Sequence, residues 1–213
     1  MITIHHLGVS QSERIVWLME ELGLPYKLKW YDRLPNKLAP PELLKLHPAA
    51  LAPVIEDEGR VLAESAVIAE YICYRHANGR LTVRPEQPNY YDYLFWMHWN
   101  NSAMGLRFTK SVLAAGATGP VADTMREVVN RREEQYYGYL NQRLGETPYL
   151  AGPELTCADI LSVFRLTTGV VFGARRIDDL PNVVAYVKRI EARPAYQKAM
   201  SIAGPKAVAP AKR

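Results

Sequence analysis

The stretch that decides the fold of this 213-residue chain is Leu51-Ala-Pro-Val-Ile-Glu-Asp-Glu-Gly-Arg-Val-Leu-Ala-Glu-Ser-Ala-Val-Ile-Ala-Glu-Tyr-Ile72. Asp57-Glu58-Gly59 has the composition of a tight turn, and apolar runs beginning at Val54 and Val61 lie on either side of it. This arrangement predicts two short strands joined as a β-hairpin. Apolar residues then recur at helical spacing, which predicts a helix: Val67, Ile68, Tyr71 and Ile72.

The junction between the hairpin and that helix has the features of a ligand-binding edge. Glu64-Ser65 stands where the helix begins, and the first N–H groups of a helix lack partners within it, so they favour a bound carboxylate. Pro53 precedes the first strand of the hairpin. A cis proline at that position would expose backbone N–H and C=O groups to a peptide-like ligand.

The residues before this stretch predict a sheet covered by helices. Ile2–Leu7 has the pattern of a strand, Ser10-Gln-Ser12 leads into an amphipathic helix that ends before Gly23, and Tyr26–Trp30 alternates apolar residues with lysines. A short helix is predicted from Glu42 to Leu46. The order of elements is therefore βαβαββα, with a right-handed βαβ crossover before the hairpin.

The second half of the chain predicts helices only. The longest are expected from Asn89 to about Ala115 and from about Val121 to Leu144, with shorter ones following at 160–166 and 181–190. Thr156-Cys-Ala-Asp159 has the spacing of a capping box, and Leu155 and Ile160 complete a hydrophobic staple.

These motifs together resemble those of the glutathione S-transferase family. Pro53-Val54-Ile55 and Glu64-Ser65 resemble its N-terminal domain, whereas Tyr149–Ile160 and Arg193–Tyr196 resemble its C-terminal domain. The resemblance covers residues 1–204. It implies an α/β thioredoxin-like N-terminal domain followed by an all-α helical-bundle C-terminal domain. The domains are expected at 1–80 and 89–204, with a linker at 81–88 and a disordered tail at 205–213.

The resemblance places the chemistry at the first strand–helix junction. Serine-type members ionise a bound thiol with a hydroxyl there, because a hydroxyl donor and a helix N-terminus stabilise a thiolate over a thiol. Ser10 aligns with that hydroxyl by register. Ser12 is the second candidate, although its hydroxyl is expected to cap the first helix. His5 and His6 on the first strand are interpreted as structural or surface residues rather than as bases.

Glutathione is the co-substrate that the resemblance implies. Glu64 and Ser65 match the pair that holds the γ-glutamyl end. The backbone of Ala52, just before Pro53, matches the position that pairs with the cysteinyl unit.

The sequence departs from the family at the loop that leads to this edge. Leu51 stands where many members carry a basic residue, and His47 stands in place of an asparagine. Lys45 and His47 are the candidates to bind the glycyl carboxylate instead.

The pocket for a second substrate is predicted on the long helix that begins near Asn89. Aromatic and methionine side chains there suit a hydrophobic electrophile. Packing in the bundle or between subunits explains the same residues equally well. The candidates are Trp96, Trp99, Asn100, Met104, Arg107 and Phe108.

Composition excludes several other classes of protein. The net charge is +4, and three of the positive charges lie in the tail after Pro205, so nucleic-acid binding is not expected. No apolar run reaches about 18 residues, so no membrane span is expected, and the N-terminus lacks a signal-like segment, which predicts a cytoplasmic protein. The His and Cys spacing predicts no metal site, and Cys73 and Cys157 are interpreted as buried thiols.

The sequence thus predicts a homodimeric glutathione S-transferase that conjugates the glutathione thiolate to a hydrophobic electrophile. Two alternatives stay open. One is a related glutathione enzyme that performs peroxide reduction, disulfide exchange, isomerisation or ether cleavage. The other is a non-catalytic binding or interaction module with the same fold.

Overall fold

A four-stranded mixed sheet forms the amino-terminal half. Its strands are β1 (Ile2–Leu7), β2 (Tyr26–Tyr31), β3 (Val54–Asp57) and β4 (Arg60–Ala63), in the spatial order β2-β1-β3-β4. The computed structural model describes residues 1–102, 113 and 115–210, without the side chains of residues 100–102. Strand β1 pairs parallel with β2 and antiparallel with β3, and β3 pairs antiparallel with β4. The predicted strand order along the chain is confirmed.

The β3–β4 hairpin follows from its turn residues. Glu58 and Gly59 both have positive φ angles, 48° and 76°, which give the turn the backbone twist that two-residue hairpins favour. The buried Asp57 carboxylate accepts hydrogen bonds from the Tyr71 hydroxyl at 3.0 Å and from His76 Nε2 at 2.6 Å. The helix after the hairpin is thereby fixed against the turn.

Three helices cover the sheet: α1 (Glu13–Leu22), α2 (Pro41–Leu44) and α3 (Ser65–His76). Helices α1 and α3 pack on the face that carries Ile2 and Ile4. The short helix α2 covers the other face, where Leu43 packs against Leu7 and Tyr31. Both faces of the sheet are therefore covered by helices.

The carboxy-terminal half is helical. Its elements are α4 (Tyr90–Ser102), α5 (Pro120–Glu146), α6 (Cys157–Leu166), a 3₁₀ helix (Thr168–Phe172), α7 (Pro181–Glu191) and α8 (Pro194–Ala203). The continuation of the first long helix toward Ala115, which the sequence predicts, lies outside the described residues. Within the described part of the chain, no helix combines the length and the hydropathy that crossing a membrane requires.

The predicted capping box at the start of α6 is confirmed. The Thr156 side chain accepts from the N–H of Ala158, and the Asp159 carboxylate accepts from the N–H of Thr156 at 2.8 Å. Asp159 is fully buried, and its carboxylate also accepts from the N–H of Leu150 and the hydroxyl of Tyr186. This one carboxylate therefore joins α6 to the loop before it and to α7.

The two halves share one continuous core. Arg193 donates to both carboxylate oxygens of Glu21, at 2.7 and 2.8 Å, so α8 is tied to α1. Cys73 in α3 and Cys157 in α6 are fully buried, with their sulfur atoms 3.2 Å apart. The interpretation of both cysteines as buried thiols is confirmed.

A buried carboxyl group adds a third link between the halves. The Thr168 hydroxyl lies 2.8 and 3.0 Å from the two carboxyl oxygens of Glu13, at the start of α1. Burial raises the pKa of Glu13 to about 8, and the hydrogen bond from Thr168 and the charge of Arg14 oppose that rise.

Candidate functional site

The register of the sheet brings the predicted site residues to one end of it. His5 pairs with Val54, so the preceding Pro53 and Ala52 lie beside the last residues of β1. Val54 also pairs with Ala63, so Glu64 follows directly at the same end. The loop that carries Ser10 leaves β1 at this point. The catalytic and glutathione-binding candidates of three separate segments therefore converge.

Ser10 lies in this loop with its hydroxyl engaged by the protein. The side chain is 6% exposed, and its hydroxyl donates to the carbonyl of Leu7 at 2.7 Å. Its oxygen is 2.7 Å from Ser12 Oγ and accepts a longer bond, 3.3 Å, from the Ser12 N–H. Helix α1 begins at Glu13, directly after Ser12, so the positive end of that helix faces this loop.

Ser12 is the residue that precedes α1, but its hydroxyl does not bond to the helix. The prediction that its side chain caps α1 is wrong. The fully buried hydroxyl instead lies 2.8 Å from His6 Nδ1 and accepts from the N–H of Leu7 at 3.2 Å. The nearby His6 ring competes successfully with the helix for this hydroxyl.

Two residues that sequence reasoning did not single out hold the Ser10 loop in place. Val9 has a φ of 50°, a strained value for a β-branched residue. Arg33 donates from Nε to the Gly8 carbonyl and from Nη2 to the Val9 carbonyl, each at 2.9 Å. Its guanidinium also lies 5.5 Å from the centre of the Phe172 ring. Arg33 is 25 residues from Gly8 and 24 residues from Val9 along the chain, so no local sequence pattern predicts these contacts.

The Glu64–Ser65 pair begins α3, as the sequence predicts. Glu64 is exposed and has a φ of 72°, in a region that non-glycine residues rarely occupy. Ser65 is 4% exposed, and its hydroxyl accepts from Arg14 Nη1 at 3.3 Å. Burial lowers the pKa of Arg14 to about 10, so this guanidinium is still charged at neutral pH. The Ser65 hydroxyl is therefore hydrogen-bonded to a positively charged guanidinium.

The Ala52–Pro53 peptide bond is cis. Ala52 is half-buried against the small core formed by Leu7, Tyr31 and Leu43. Within the described ranges, no hydrogen bond to the Ala52 backbone occurs. Its N–H and C=O groups thus remain available for a peptide-like ligand.

The residues proposed to replace the missing basic group lie on the loop before Ala52. Lys45 and Leu51 are exposed. His47 is half-buried, and its Nδ1 accepts from the N–H of Ala49 at 3.1 Å, which leaves the Nε2–H as the group it can donate. Their contact with a ligand stays a prediction.

The predicted co-substrate residues divide into two groups. Trp96 is 1% exposed and stacks on Tyr139, and Trp99 stacks on Tyr136, so both take part in an aromatic cluster between α4 and α5. Their role in binding stays a prediction. The other candidates lie where the structure describes no side chain: Asn100, Met104, Arg107 and Phe108.

The structure adds a carboxy-terminal segment that approaches the Ser10 loop, which the sequence prediction missed. Phe164 lies under the guanidinium of Arg14, and Phe172 lies under that of Arg33. These rings belong to α6 and the 3₁₀ helix.

No cluster of three or more His, Cys, Asp or Glu side chains with the geometry of a metal site occurs in the described part of the chain. The candidate residues supply hydroxyl groups, backbone amides, the N-termini of α1 and α3, and a buried guanidinium.

Comparison with known proteins identifies the family. A family model described as "Glutathione S-transferase, N-terminal domain" matches residues 10–75, and one described as "Glutathione S-transferase, C-terminal domain" matches residues 112–199. Glutathione S-transferase 3 of Schizosaccharomyces pombe is 30% identical over 92% of this chain and 85% of its own. Glutathione S-transferase 1 of Saccharomyces cerevisiae is 27% identical over 92% of each chain.

A solved structure gives the same result. The crystal structure of a glutathione S-transferase from Actinobacillus pleuropneumoniae has 34% sequence identity and a TM-score of 0.85, and the match covers 97% of this chain and 95% of that one. The arrangement of a thioredoxin-like sheet and a helical second half is thus shared along nearly the whole length. The chain belongs to the glutathione S-transferase family.

Proposed function

We propose that this protein is a glutathione transferase, in which Ser10 stabilises the thiolate of bound glutathione for attack on a hydrophobic electrophile. The observation that carries the proposal is the convergence of the Ser10 hydroxyl, the Ala52 backbone and the N-terminus of α3 at one end of the sheet. The names of the relatives support the same activity.

Each part of the site has a distinct task in this proposal. The first-turn N–H groups of α3 and the Ser65 hydroxyl bind the α-carboxylate of the γ-glutamyl residue, and Glu64 pairs with its ammonium group. The Ala52 backbone pairs with the cysteinyl unit, which directs the sulfur toward Ser10.

The energetic requirement is modest. A free cysteine thiol has a pKa of about 8.5, so only a small fraction is ionised at neutral pH. A donor that lowers this pKa by about 2 stabilises the thiolate by about 2.7 kcal/mol. One hydroxyl bonded to a charged sulfur, assisted by the positive end of α1, is of the right order.

The test combines glutathione binding with turnover of a chlorodinitrobenzene-type electrophile. Ser10→Ala is expected to lower turnover and to move the pH–rate profile upward, while glutathione affinity stays nearly unchanged because the γ-glutamyl contacts are intact. Ser201→Ala, an exposed serine on α8, is the matched control. A binding isotherm that stays flat to millimolar glutathione, or a Ser10→Ala variant with unchanged turnover and profile, would contradict the proposal.

The buried cysteines disfavour one alternative chemistry. Cys73 and Cys157 are the chain's two cysteines; both are fully buried in α3 and α6, and neither belongs to the Ser10 loop. Disulfide exchange through a protein thiol at this site is therefore not supported.

The functional unit that we propose is a homodimer in the cytoplasm. Tyr91 on α4 is 74% exposed, and Phe95 and Trp99 lie partly exposed beside it. This apolar surface is more than one helical bundle needs for its own core, which supports association of two copies.

A further inference from the structure

Three short contacts link four groups behind the proposed thiol site. The Leu7 carbonyl oxygen lies 2.7 Å from Ser10 Oγ, Ser10 Oγ lies 2.7 Å from Ser12 Oγ, and Ser12 Oγ lies 2.8 Å from His6 Nδ1. All four groups are buried. At these separations each contact requires one hydrogen between the two atoms, because two unprotonated lone pairs would repel each other.

Counting the hydrogens in these three short contacts gives a single solution. Ser12 Oγ also lies 3.4 Å from the Leu7 carbonyl oxygen, but its 2.7 Å contact with Ser10 Oγ is much the shorter of the two. The Leu7 carbonyl has no hydrogen to give, so the Ser10 hydroxyl must donate to it. The Ser10–Ser12 contact must then use the Ser12 hydrogen, since a hydroxyl carries only one. The Ser12–His6 contact must in turn use a hydrogen on His6 Nδ1. The donors therefore run in one direction, from His6 through Ser12 to Ser10.

Two further observations agree with this order. Ser12 Oγ also accepts from the Leu7 N–H, so its two acceptor sites are filled by Leu7 and His6. Among the described residues, nothing bonds to the buried His6 Nε2. An unpaired lone pair at that atom is less unfavourable than an unpaired N–H, which favours the hydrogen on Nδ1.

We infer that His6 and Ser12 are positioning residues that make the Ser10 hydroxyl an obligate donor toward the sulfur of bound glutathione. Ser10 Oγ already accepts from the hydroxyl and the N–H of Ser12. It has no acceptor capacity left for a thiol hydrogen. Its remaining freedom is to turn its own hydrogen from the neutral Leu7 carbonyl to a charged thiolate, which is the stronger acceptor.

The chain of donors also strengthens the last bond. Successive hydrogen bonds polarise one another, so a donor at Ser12 makes the Ser10 hydroxyl a better donor than it would be alone. The inference rests on the proposed function, because it assigns His6 and Ser12 to the thiol site proposed there.

The first experiment observes the hydrogen order directly in the free protein. Nitrogen-15 NMR of the histidine rings is expected to show His6 as a neutral ring with its hydrogen on Nδ1. A neutral ring with the hydrogen on Nε2 would overturn the inference without affecting the proposed function. This measurement needs no variant, so it decides the matter even if substitutions in the buried strand prevent folding.

The second experiment measures how easily bound glutathione ionises, from the ultraviolet absorbance of the thiolate as pH is varied. His6→Leu and Ser12→Ala are expected to raise the pH of half-ionisation by about half a unit or more, because one donor bond behind Ser10 is lost. His6→Asn is expected to restore the wild-type value, since its side-chain amide can place an N–H near the position of Nδ1.

The control is His5→Leu. His5 is equally buried on the same strand, but its ring bonds Tyr31 and Glu56 instead of the serines. Its variant is expected to ionise bound glutathione as the wild type does. Equal values for folded His6→Leu, His5→Leu and wild type would overturn the inference. If glutathione bound to the wild-type protein has the same pH of half-ionisation as free glutathione, the proposed function itself is overturned.

Discussion

At the scale of single residues, His6 links folding to pH. Burial lowers its pKa from 6.5 to about 4. Between these values the unfolded chain binds a proton that the folded protein does not, so the free energy of unfolding rises with pH through this window and falls as pH decreases. The neutral ring that the donor chain requires is also the form that burial favours.

The linkage gives a measurable difference between pH 7 and pH 5. Wild-type protein is expected to lose about 2 kcal/mol of unfolding free energy from His6 alone over this interval. The His6→Asn variant lacks the titrating ring. Its loss of unfolding free energy between pH 7 and pH 5 should therefore be smaller than that of the wild type by about 2 kcal/mol. Urea unfolding of both proteins at the two pH values checks this, and parallel losses in the two proteins would show that His6 titrates normally.

Glu64 provides the second prediction at this scale. Glu64→Ala is expected to weaken glutathione binding by about 1–3 kcal/mol, because a charge-assisted bond to the ligand ammonium is lost. Glu127→Ala, an exposed glutamate on α5, is the matched control. Calorimetric titration of both variants tests the assignment, and equal affinities would place Glu64 outside the binding site.

At the scale of secondary-structure elements, the start of α6 depends on one carboxylate. Asp159→Ala is expected to lower the free energy of unfolding by about 3–5 kcal/mol, because the buried N–H groups of Leu150 and Thr156 and the Tyr186 hydroxyl lose their acceptor. Asp178→Ala, an exposed aspartate, should change it by about 0.5 kcal/mol or less. Chemical denaturation of the two variants is the measurement, and similar midpoints would contradict this role.

The same scale shows why part of the molecule was predictable. The Glu58-Gly59 turn and the Thr156–Asp159 capping box depend on neighbours a few residues away, so their chemistry is visible in the sequence. The convergence of Ser10, Pro53 and Glu64 was predictable only through the family resemblance.

Other features depend on residues that are distant in sequence. Thr168 bonds Glu13 across 155 positions, and Arg33 holds a loop at Gly8 and Val9. Ser12 has the composition and position of a helix cap, yet the buried His6 ring takes its hydroxyl. Local propensity cannot indicate such partners, because tertiary packing decides which groups meet.

At the scale of the whole molecule, association of two chains is the main prediction. Sedimentation equilibrium at micromolar concentration is expected to give a mass near twice the 24.1 kDa of one chain. The apolar surface around Tyr91 would then be covered by the second copy. A mass near that of one chain would contradict the proposed homodimer.

The buried sulfur pair has a consequence for chemical labelling. Because Cys73 and Cys157 meet where the two halves of the chain pack together, a small thiol-specific reagent reaches neither until that packing opens. We expect native protein to react with such a reagent at a rate set by opening, and both sulfurs to react together. Protein unfolded in urea should release two equivalents of chromophore at once. The labelling rate therefore measures how often the two halves separate. Rapid labelling of only one sulfur in native protein would show that this cysteine becomes accessible without separation of the halves.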